Sequence, residues 1–415
     1  MDSLEKAIEV INQHNLAKRL SQIIKLDDEI KSYSYLFEFN RNAPFFEKNY
    51  VPGLEARINS SGLSCDSEKE AIIRCVSEFI ERFSLFFFDP NILKYSNYKD
   101  LSHAVNPSVY KDITGITDRK INWIEGIELH NGQKIWIPAQ LIYINSAKED
   151  INLSVRISTG AASYTNKTRS ILKGIYEIIE RDAFMTTYLT RSIVPRIDIE
   201  TIKNNNIQSI YEQTQRYNLE ICLFDITNDI NIPSYLCILI DRTGIGPAIV
   251  VGAKSSINPI EAVEGSLEEA IMARSWIRGW MMKRSLKKIE IRKINNKLQR
   301  AQLWANIQMI QEFEYILNQK KVPFKATSGG KIIKELEKVV TLLNKKGFNI
   351  YYKNITHEIF RNSGFTVTKS IIPGMQPLYL DEVNTKEYKM ERLLAVSKYF
   401  NQKELSINQI PHPML

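Results

Sequence analysis

Glu177-Ile178-Ile179-Glu180-Arg181 is the run that decides the fold of this 415-residue chain, and it repeats the earlier Glu78-Phe79-Ile80-Glu81-Arg82 almost residue for residue. Each copy lies late in an apolar stretch with helical spacing. Each also follows a turn rich in Ser, Thr and Gly, namely Asn59-Ser60-Ser61-Gly62 and Ser158-Thr159-Gly160-Ala161. Two carboxylates and an arginine on an otherwise apolar helix, present twice, predict a chain that gathers acidic groups around a cation.

The charged residues of each copy fall on one helical face. Glu78, Glu81 and Arg82 stand at i, i+3 and i+4, and Arg74 extends that face one turn back. The second copy repeats the spacing with Glu177, Glu180 and Arg181. Helices this apolar are expected to be buried on several sides. Their charged stripes must then meet water in a cleft, a counter-ion or other charges, because buried unpaired charge is costly.

Two interpretations of these stripes stay open. In the first, each stripe is a surface ion pair that stabilises its helix by roughly 0.2–0.5 kcal/mol. In the second, the four glutamates hold Mg²⁺, which prefers oxygen ligands and shares them with phosphates, while the arginines contact phosphate oxygens. The duplication favours the second. No Walker A sequence and no GxGxxG opening a helix is present, so such a nucleotide site would be of an unusual type.

A third acidic and basic helix is predicted over residues 259–282. It carries Glu261, Glu264, Glu268, Glu269, Arg274 and Arg278. Glu269 and Arg274 are five residues apart, slightly off one face, so spacing alone favours a solvated face.

Composition narrows the class of protein. With 44% hydrophobic and 25% charged residues the chain is globular, and its net charge of +8 is accompanied by no nucleic-acid motif. The four cysteines form no CxxC pair and no zinc-ligand spacing with His, so we expect reduced thiols. The apolar runs are far shorter than the ~20 residues that span a bilayer. We expect a cytoplasmic protein that binds neither membrane nor nucleic acid.

Interleaved strands and helices predict an α+β fold with mixed sheets, long helices and an internal pseudo-repeat of the two Glu-x-x-Glu-Arg helices. Helices are predicted over 3–32, 68–87, 167–188 and 259–282. Strands are predicted over 54–60, 121–126, 134–138, 219–226, 234–241, 248–253, 348–353 and 365–372. The expected organisation is an N-terminal helical extension (1–50), one large α+β domain (51–380) and a C-terminal tail with little periodicity (381–415). Within the domain 51–380, residues 283–346 are predicted to be helical and basic. This segment is either a solvated excursion or a surface for an acidic partner.

Together these residues resemble the YcaO family. The passages that carry the resemblance are 61–64 with 77–82, 158–162 with 177–184, 252–253 with 266–274, and Ile371-Ile372-Pro373-Gly374-Met375-Gln376-Pro377. Trp123-Ile124-Glu125-Gly126, Ile137-Pro138-Ala139 and the ending Pro411-His412-Pro413 look like the SagD-type cyclodehydratases of thiazole/oxazole-modified microcins and related bacteriocins.

The resemblance implies an ATP-dependent enzyme that modifies the backbone of a ribosomally made precursor peptide. A Cys, Ser or Thr side chain attacks the preceding amide carbonyl, the amide oxygen is phosphorylated, and phosphate leaves to give a thiazoline or oxazoline.

The family's functional residues carry over onto this chain position by position. Glu78, Glu81, Glu177 and Glu180 would hold Mg²⁺, Arg82 and Arg181 would lie near the phosphates, and Glu269 and Arg274 would lie on the other side of ATP. The C-terminal carboxylate at Leu415, carried by a tail with Pro411 and Pro413, would help to move protons.

The resemblance also implies partner proteins. A leader-peptide-binding partner of the E1-like or ocin-ThiF type would deliver the precursor peptide within an oligomeric complex. A flavin-dependent azoline dehydrogenase would act afterwards.

The chain departs from the family pattern at four points. The first turn, Ser60-Ser61-Gly62, lacks a lysine, Arg74 stands where a serine is usual, Ser163 replaces a glycine, and the tail ends Pro413-Met414-Leu415. Arg74 still suits a phosphate contact. Two alternatives therefore stay open beside the cyclodehydratase, namely a thioamide-forming YcaO enzyme and a non-catalytic YcaO scaffold.

Overall fold

The structure, a computed structural model, describes residues 2–47, 58–111, 113–145, 153, 156–283, 290–325, 332–383 and 386–415. Its helices are α1 (Ser3–Gln13), α2 (Pro44–Glu47), α3 (Glu68–Phe86), α4 (Lys167–Thr190), α5 (Asn205–Arg216), α6 (Pro259–Met281), α7 (Lys297–Trp304), α8 (Glu314–Leu317), α9 (Ile332–Lys345) and α10 (Met390–Tyr399). Its strands are β1 (Ala17–Gln22), β2 (Tyr33–Phe39), β3 (Ser60–Ser64), β4 (Lys94–Ser96), β5 (Ile121–Glu128), β6 (Lys134–Pro138), β7 (Ala161–Tyr164), β8 (Arg196–Asp198), β9 (Glu220–Asp225), β10 (Ser234–Ile240), β11 (Ile249–Ser255), β12 (Lys321–Pro323), β13 (Tyr351–Asn354) and β14 (Thr366–Ile371).

The chain forms two compact units, and neither is continuous in sequence. Unit 1 consists of residues 1–24, 33–175 and 332–374. Unit 2 consists of residues 25–32, 176–331 and 375–415. The helix α4 contributes its first residues to unit 1 and its remaining residues to unit 2.

Unit 1 contains two sheets. The antiparallel sheet β1-β2-β3 carries α3, whose phenylalanines pack with those of β2 and α2; Phe37 and Phe79 lie 5.1 Å apart between ring centroids. The second sheet has the order β4-β5-β13-β14-β7, with β6 paired to β5. The strand β7 ends three residues before α4 begins, so this sheet positions the start of the second Glu-x-x-Glu-Arg helix.

Unit 2 is built on the sheet β11-β10-β9-β8-β12. Every residue of β10 is buried, since this strand lies inside the sheet and α6 covers it. The pairs β11-β10, β10-β9 and β9-β8 are antiparallel, whereas β12 pairs with β8 in parallel. The α+β prediction with mixed sheets and long helices is confirmed.

The three long helices and most strands form where the sequence predicts them, but the prediction of one helix over residues 3–32 is wrong. α1 ends at Gln13, Asn15 adopts a left-handed φ of 50°, and β1 follows. The predicted turn at Ser60–Gly62 is the strand β3. Of the predicted strand over 54–60, residues 54–57 lie outside the described part of the chain.

The basic region 283–346 is helical only in part, because β12 interrupts it. Its residues 284–289 and 326–331 lie outside the described residues. Arg300 within it is fully buried, so the region is not uniformly solvated. The sequence also missed α5, and α10 within the tail. The predicted boundaries at residues 50 and 380, and the pseudo-repeat, stay predictions. In the described part of the chain, no helix combines the length and the apolar character needed to cross a membrane.

Candidate active site

The first Glu-x-x-Glu-Arg run lies on α3, directly against β3. Ser67 caps α3 by accepting a hydrogen bond from the Glu70 amide, which stops the strand and begins the helix. Gly62 lets the two elements touch, because a β-carbon there would lie 2.0 Å from the Ala71 carbonyl oxygen. Only glycine permits this approach. It brings the backbone of β3 within reach of the charged face of α3.

Glu78 and Arg82 fasten that face to the strand. Glu78 Oε2 accepts a hydrogen bond from the Ser61 amide at 2.6 Å, and its Oε1 lies 2.7 Å from Arg82 Nη2. Arg82 also donates to the carbonyl of Asn59. The side chains of Glu78 and Arg82 are 29% and 28% exposed, and Glu81 on the same face is partly buried. The predicted i, i+4 pair is present, but it is tied to β3 rather than lying free on a surface.

Arg74 continues this face one turn back, as the spacing predicts. Its Nε lies 3.1 Å from Glu70 Oε1, and its Nη1 donates to the Leu63 carbonyl at 2.7 Å. The side chain is 41% exposed. Arg74 is therefore held over β3 and keeps solvent access.

The second turn, before α4, is fixed by close packing and a lysine. Gly160 has a left-handed φ of 86°, and a β-carbon on Gly174 of α4 would lie 2.4 Å from its carbonyl oxygen. Lys369 Nζ donates to the carbonyls of Ile157 and Thr159 at 2.9 and 2.6 Å. The strand β7 joins this turn to α3, because Ser77 Oγ donates to the Ser163 carbonyl at 2.6 Å.

Glu177, Glu180 and Arg181 belong to the part of α4 in unit 2. Arg181 Nη2 lies 2.8 Å from Glu177 Oε1, which reproduces the pair of the first copy. Glu180 is different, because it is only 3% exposed. Burial, and then the charge of Glu269, raise the pKa of Glu180 to about 8, although the positive charge of Lys254 opposes this shift.

Lys254 is the residue of this site that the sequence reasoning missed. Its Nζ lies 2.7 Å from Glu269 Oε1 and 3.3 Å from Glu180 Oε2. It stands on β11 two residues after Gly252, so both face α6. Burial disfavours its ammonium, yet the carboxylates of Glu180 and Glu269 outweigh this and raise the pKa of Lys254. Side chains alternate along a strand, so Lys254 falls on the same side of β11 as Gly252. This was the signal in the sequence that could have indicated Lys254.

Arg274 is buried rather than solvated. Its Nε lies 3.0 Å from Glu29 Oε2, its Nη2 lies 2.9 Å from Asp241 Oδ2, and the residue is 2% exposed. Arg278 on the next turn contacts Glu29 and Asp28. The interpretation of α6 as a solvated face is therefore wrong for its arginines. The contact of Arg274 with a nucleotide stays a prediction.

The Pro411-His412-Pro413 tail is held inside unit 2. Trp304 Nε1 donates to the Pro411 carbonyl at 2.9 Å, and Arg300 Nη1 donates to the His412 carbonyl at 2.7 Å. The His412 ring lies against Tyr379, with Nε2 at 2.6 Å from its carbonyl oxygen. Residues 411–414 are buried, and Leu415 is partly exposed. The sequence singled out this tail but not Arg300 and Trp304, which hold it.

The donor chemistry of this site fits a hard divalent cation. Across the described ranges, no group of three or more His, Cys, Asp or Glu side chains is arranged as a metal cage. Glu180 Oε2, however, is buried and accepts no hydrogen bond from the described residues. Lys254 Nζ lies 3.3 Å from this oxygen without forming a hydrogen bond to it, so the oxygen keeps a lone pair that Mg²⁺ would engage.

The chain is similar to several known proteins. An uncharacterized protein in the tfuA 3′ region of Rhizobium leguminosarum bv. trifolii is 27% identical over 168 residues, which are 38% of this chain and 40% of the relative. A solved structure described as a heterocyclase in complex with substrate and cofactor matches with a TM-score of 0.76 at 15% identity, over 98% of this chain and 57% of that one.

The structure of YcaO from Methanopyrus kandleri bound with AMPPCP and Mg²⁺ matches with a TM-score of 0.63 at 14% identity, over 90% of this chain and 91% of that one. At these identities the structures show a shared fold, and this chain spans only about half the length of the first two relatives. A family model settles the membership, because it matches residues 64–376, well over half of the chain. The chain therefore belongs to the family described as YcaO cyclodehydratase, ATP- and Mg²⁺-binding.

Proposed function

We propose that this protein is the ATP-dependent cyclodehydratase subunit, of SagD type, of a system that makes azole-modified peptides. Its substrate is a ribosomally made precursor peptide with Cys, Ser or Thr residues. The membership of residues 64–376 in the YcaO cyclodehydratase family supports the reaction class. The Pro411-His412-Pro413 ending supports the SagD type.

The proposed chemistry conserves every atom of the peptide except one water. The thiol or hydroxyl of the Cys, Ser or Thr adds to the preceding amide carbon, and the amide oxygen accepts the γ-phosphoryl group of ATP as ADP leaves. The amide nitrogen then loses its proton, the C–N double bond forms, and phosphate departs with the former amide oxygen. Phosphorylation is needed because an amide oxygen is otherwise a poor leaving group.

The Glu-x-x-Glu-Arg helices supply the proposed ligands. Glu78 and Glu81 of α3, and Glu177 and Glu180 of α4, are assigned to Mg²⁺, and Arg82 and Arg181 to phosphate oxygens. Bound Mg²⁺ would neutralise the charge that develops on the transferred phosphoryl group. The single observation that carries this assignment is Glu180, a buried carboxylate whose Oε2 accepts no hydrogen bond from the described residues.

Two further residues, Arg74 and Glu269, are assigned to ATP itself. Arg74 keeps 41% of its side chain exposed while β3 fixes its position, which suits a phosphate contact. Glu269 is one-third exposed and is paired through Lys254 to Glu180. Arg274 is not assigned to ATP, because Glu29 and Asp241 already hold its guanidinium. We assign it instead to the support of α6 behind Glu269.

The tail is the proposed proton-handling element. Pro411 and Pro413 restrict its backbone, and the contacts from Trp304 and Arg300 hold it in unit 2. Where Leu415 carries the terminal carboxylate, that group would accept the proton that the attacking side chain or the amide nitrogen loses. A leader-peptide-binding partner of the E1-like or ocin-ThiF type would present the precursor, and a flavin-dependent dehydrogenase would oxidise the azolines.

The test combines the protein with ATP, Mg²⁺, its partner and a Cys-, Ser-, Thr- and Gly-rich peptide encoded beside its gene. The expected product has lost one water per ring. With a heavy oxygen isotope in the substrate amide, the released phosphate carries the label. AMPPCP in place of ATP is the control and should give no product.

Other outcomes would overturn the proposal. Exchange of oxygen for sulfur in the peptide would identify a thioamide-forming enzyme. Unchanged peptide mass and no ADP, with the partner present, would identify a scaffold. Water loss with unlabelled phosphate would remove the proposed phosphorylation of the amide oxygen.

A further inference from the structure

The ammonium group of Lys254 lies beside Glu180, the carboxylate that we assign to the metal. Its Nζ lies 3.3 Å from Oε2 of Glu180, the oxygen that accepts no hydrogen bond from the described residues. It also lies 2.7 Å from Oε1 of Glu269. The ammonium thus bridges a residue proposed for the metal and a residue proposed for the nucleotide.

Two glycines, Gly252 and Gly265, make room for the Lys254 side chain between β11 and α6. Gly252, two residues earlier on β11, lets the strand lie on α6, because a β-carbon there would be 2.2 Å from the Ser266 carbonyl oxygen. Gly265 of α6 leaves room for the lysine stem, since a β-carbon on it would lie 2.7 Å from Lys254 Cγ. The stem therefore runs along α6 toward the two carboxylates.

Lys254 is one of the two cations that act most strongly on Glu180. The carboxylates of Glu177, Glu180 and Glu269 face the cations Arg181 and Lys254. Among these groups, Arg181 is the cation that would remain beside Glu180 without Lys254. A divalent ion entering the same space must either displace the ammonium or repel it at short range, and such repulsion is strong in a partly buried site.

We propose that Lys254 is a positioning residue that occupies the cation position at Glu180 until Mg²⁺ and the triphosphate arrive together. Bare Mg²⁺ competes with the ammonium for Glu180, whereas phosphate oxygens arriving with Mg²⁺ give the displaced ammonium a new partner. Lys254, which is 35% exposed and held by Glu269, can turn without leaving the site. The protein therefore takes up its metal as a nucleotide complex. This inference rests on the proposed role of Glu180 as a metal ligand.

The test measures metal binding, not turnover. Mn²⁺ alone is titrated into the protein, and free Mn²⁺ is followed by electron paramagnetic resonance, with and without AMPPCP. Lys254→Met keeps the stem and removes the charge. It should bind Mn²⁺ alone at least about tenfold more tightly than the wild type, equivalent to about 1.4 kcal/mol. The gain in Mn²⁺ affinity on adding AMPPCP should shrink by a similar factor.

Three matched variants make the result specific. Lys254→Arg keeps the charge and should behave as the wild type. Lys203→Met removes an exposed lysine of the same unit and should change nothing. Lys254→Gln provides a second neutral side chain if the Met variant folds poorly, which thermal unfolding would reveal.

Glu180→Gln separates failure of the inference from failure of the metal assignment. If Glu180→Gln leaves Mn²⁺ binding unchanged in both the wild type and Lys254→Met, Glu180 is not a ligand and the assignment falls. If binding depends on Glu180 but Lys254→Met and Lys254→Gln bind Mn²⁺ no more tightly than the wild type, only the role of Lys254 is overturned. Absence of Mn²⁺ binding in every variant without AMPPCP also overturns it.

Discussion

Arg392 of α10 contacts both carboxylate oxygens of Asp182, with Nε 2.9 Å from Oδ1 and Nη2 2.7 Å from Oδ2. Asp182 follows Arg181 directly and is completely buried. Its Oδ1 also accepts the Gln376 amide, and its Oδ2 accepts Asn228 Nδ2. The residue after the second Glu-x-x-Glu-Arg run is thus the centre of a buried polar network inside unit 2.

We predict that Asp182→Asn lowers the free energy of unfolding by about 1.5–3 kcal/mol, because the buried guanidinium of Arg392 loses one of its two carboxylate partners and keeps only Asp229. Denaturant titration followed by circular dichroism measures this. Glu290→Gln is the control, since Glu290 pairs with Lys293 at a site where both side chains are mostly exposed, and it should cost less than about 1 kcal/mol. Equal effects of the two changes would contradict the prediction.

Gly252→Ala should destabilise the protein by about 1–3 kcal/mol, because the added methyl must push β11 away from α6. It would meet the Ser266 carbonyl at 2.2 Å and the Ala270 amide at 2.4 Å. Thermal and denaturant unfolding report the loss. Gly279→Ala on α6 is the matched control, since nothing lies within 4 Å of its added carbon, and it should stabilise by about 0.5–1 kcal/mol. A neutral Gly252→Ala would refute the close approach.

Glu81→Gln and Glu180→Gln should each stop Mg²⁺-dependent ATP turnover while the protein stays folded. Glutamine keeps the shape of each side chain and removes the charge that a hard cation requires. For Glu180, burial already disfavours the charged form, so a neutral glutamine should preserve or raise the unfolding temperature in the absence of metal. Phosphate release and thermal unfolding are the two measurements. Unchanged turnover in both variants would remove the metal assignment.

His412 should make the protein acid-sensitive. Burial, and then the charge of Arg300, hold the pKa of His412 well below its ordinary value of 6.5. The unfolded chain therefore takes up a proton below pH 6.5 that the folded chain refuses, so stability present above that pH is lost as the pH falls, by up to about 1.4 kcal/mol per unit.

Comparison with His412→Gln isolates this effect. The variant should lose less stability between about pH 6.5 and pH 5 than the wild type, as measured by urea titration at each pH. Burial also lowers the pKa of His357, to about 4, but that histidine is present in both proteins and cancels. Parallel pH profiles would show that His412 is protonated in the folded state.

Removal of Pro411–Leu415 should impair ring formation more than ATP binding. Trp304→Phe should do so to a smaller degree, because it removes the indole N–H that bonds to Pro411 while keeping an aromatic ring. Equilibrium binding of a fluorescent ATP analogue and mass spectrometry of the peptide provide the two readouts. Wild-type cyclisation by the truncated protein would exclude a role for the tail.

The parts of the fold that local sequence governs could be predicted. α3 and α6 begin where Ser67 and Asn258 cap them, and both boundaries agree with prediction to within one residue. The helix over 3–32 failed because Leu16 and Leu20 fit a helical stripe and a strand equally well. The pairing that decides for β1, Leu20 with Phe37, is not visible in either segment alone.

The candidate site divides in the same way. The i, i+4 pairs Glu78–Arg82 and Glu177–Arg181 follow from helical geometry and were predictable. For Lys254, the alternation of β11 indicates only the side of the strand, and its contact with Glu180 was not predictable because it depends on the packing of β11, α4 and α6. The burial of Arg274 was equally hidden, since its partner Glu29 lies 245 residues away in sequence.

That separation has a consequence for synthesis. Glu29 leaves the ribosome long before Arg274 and Arg278, so for more than half of translation it is a carboxylate without its guanidinium partners. Unit 1 also needs residues 332–374, and unit 2 needs residues 375–415. Because both units need residues from late in the sequence, neither can be completed before residue 374 has been made. Until then each unit is incomplete, and such incompletely folded chains are prone to aggregate.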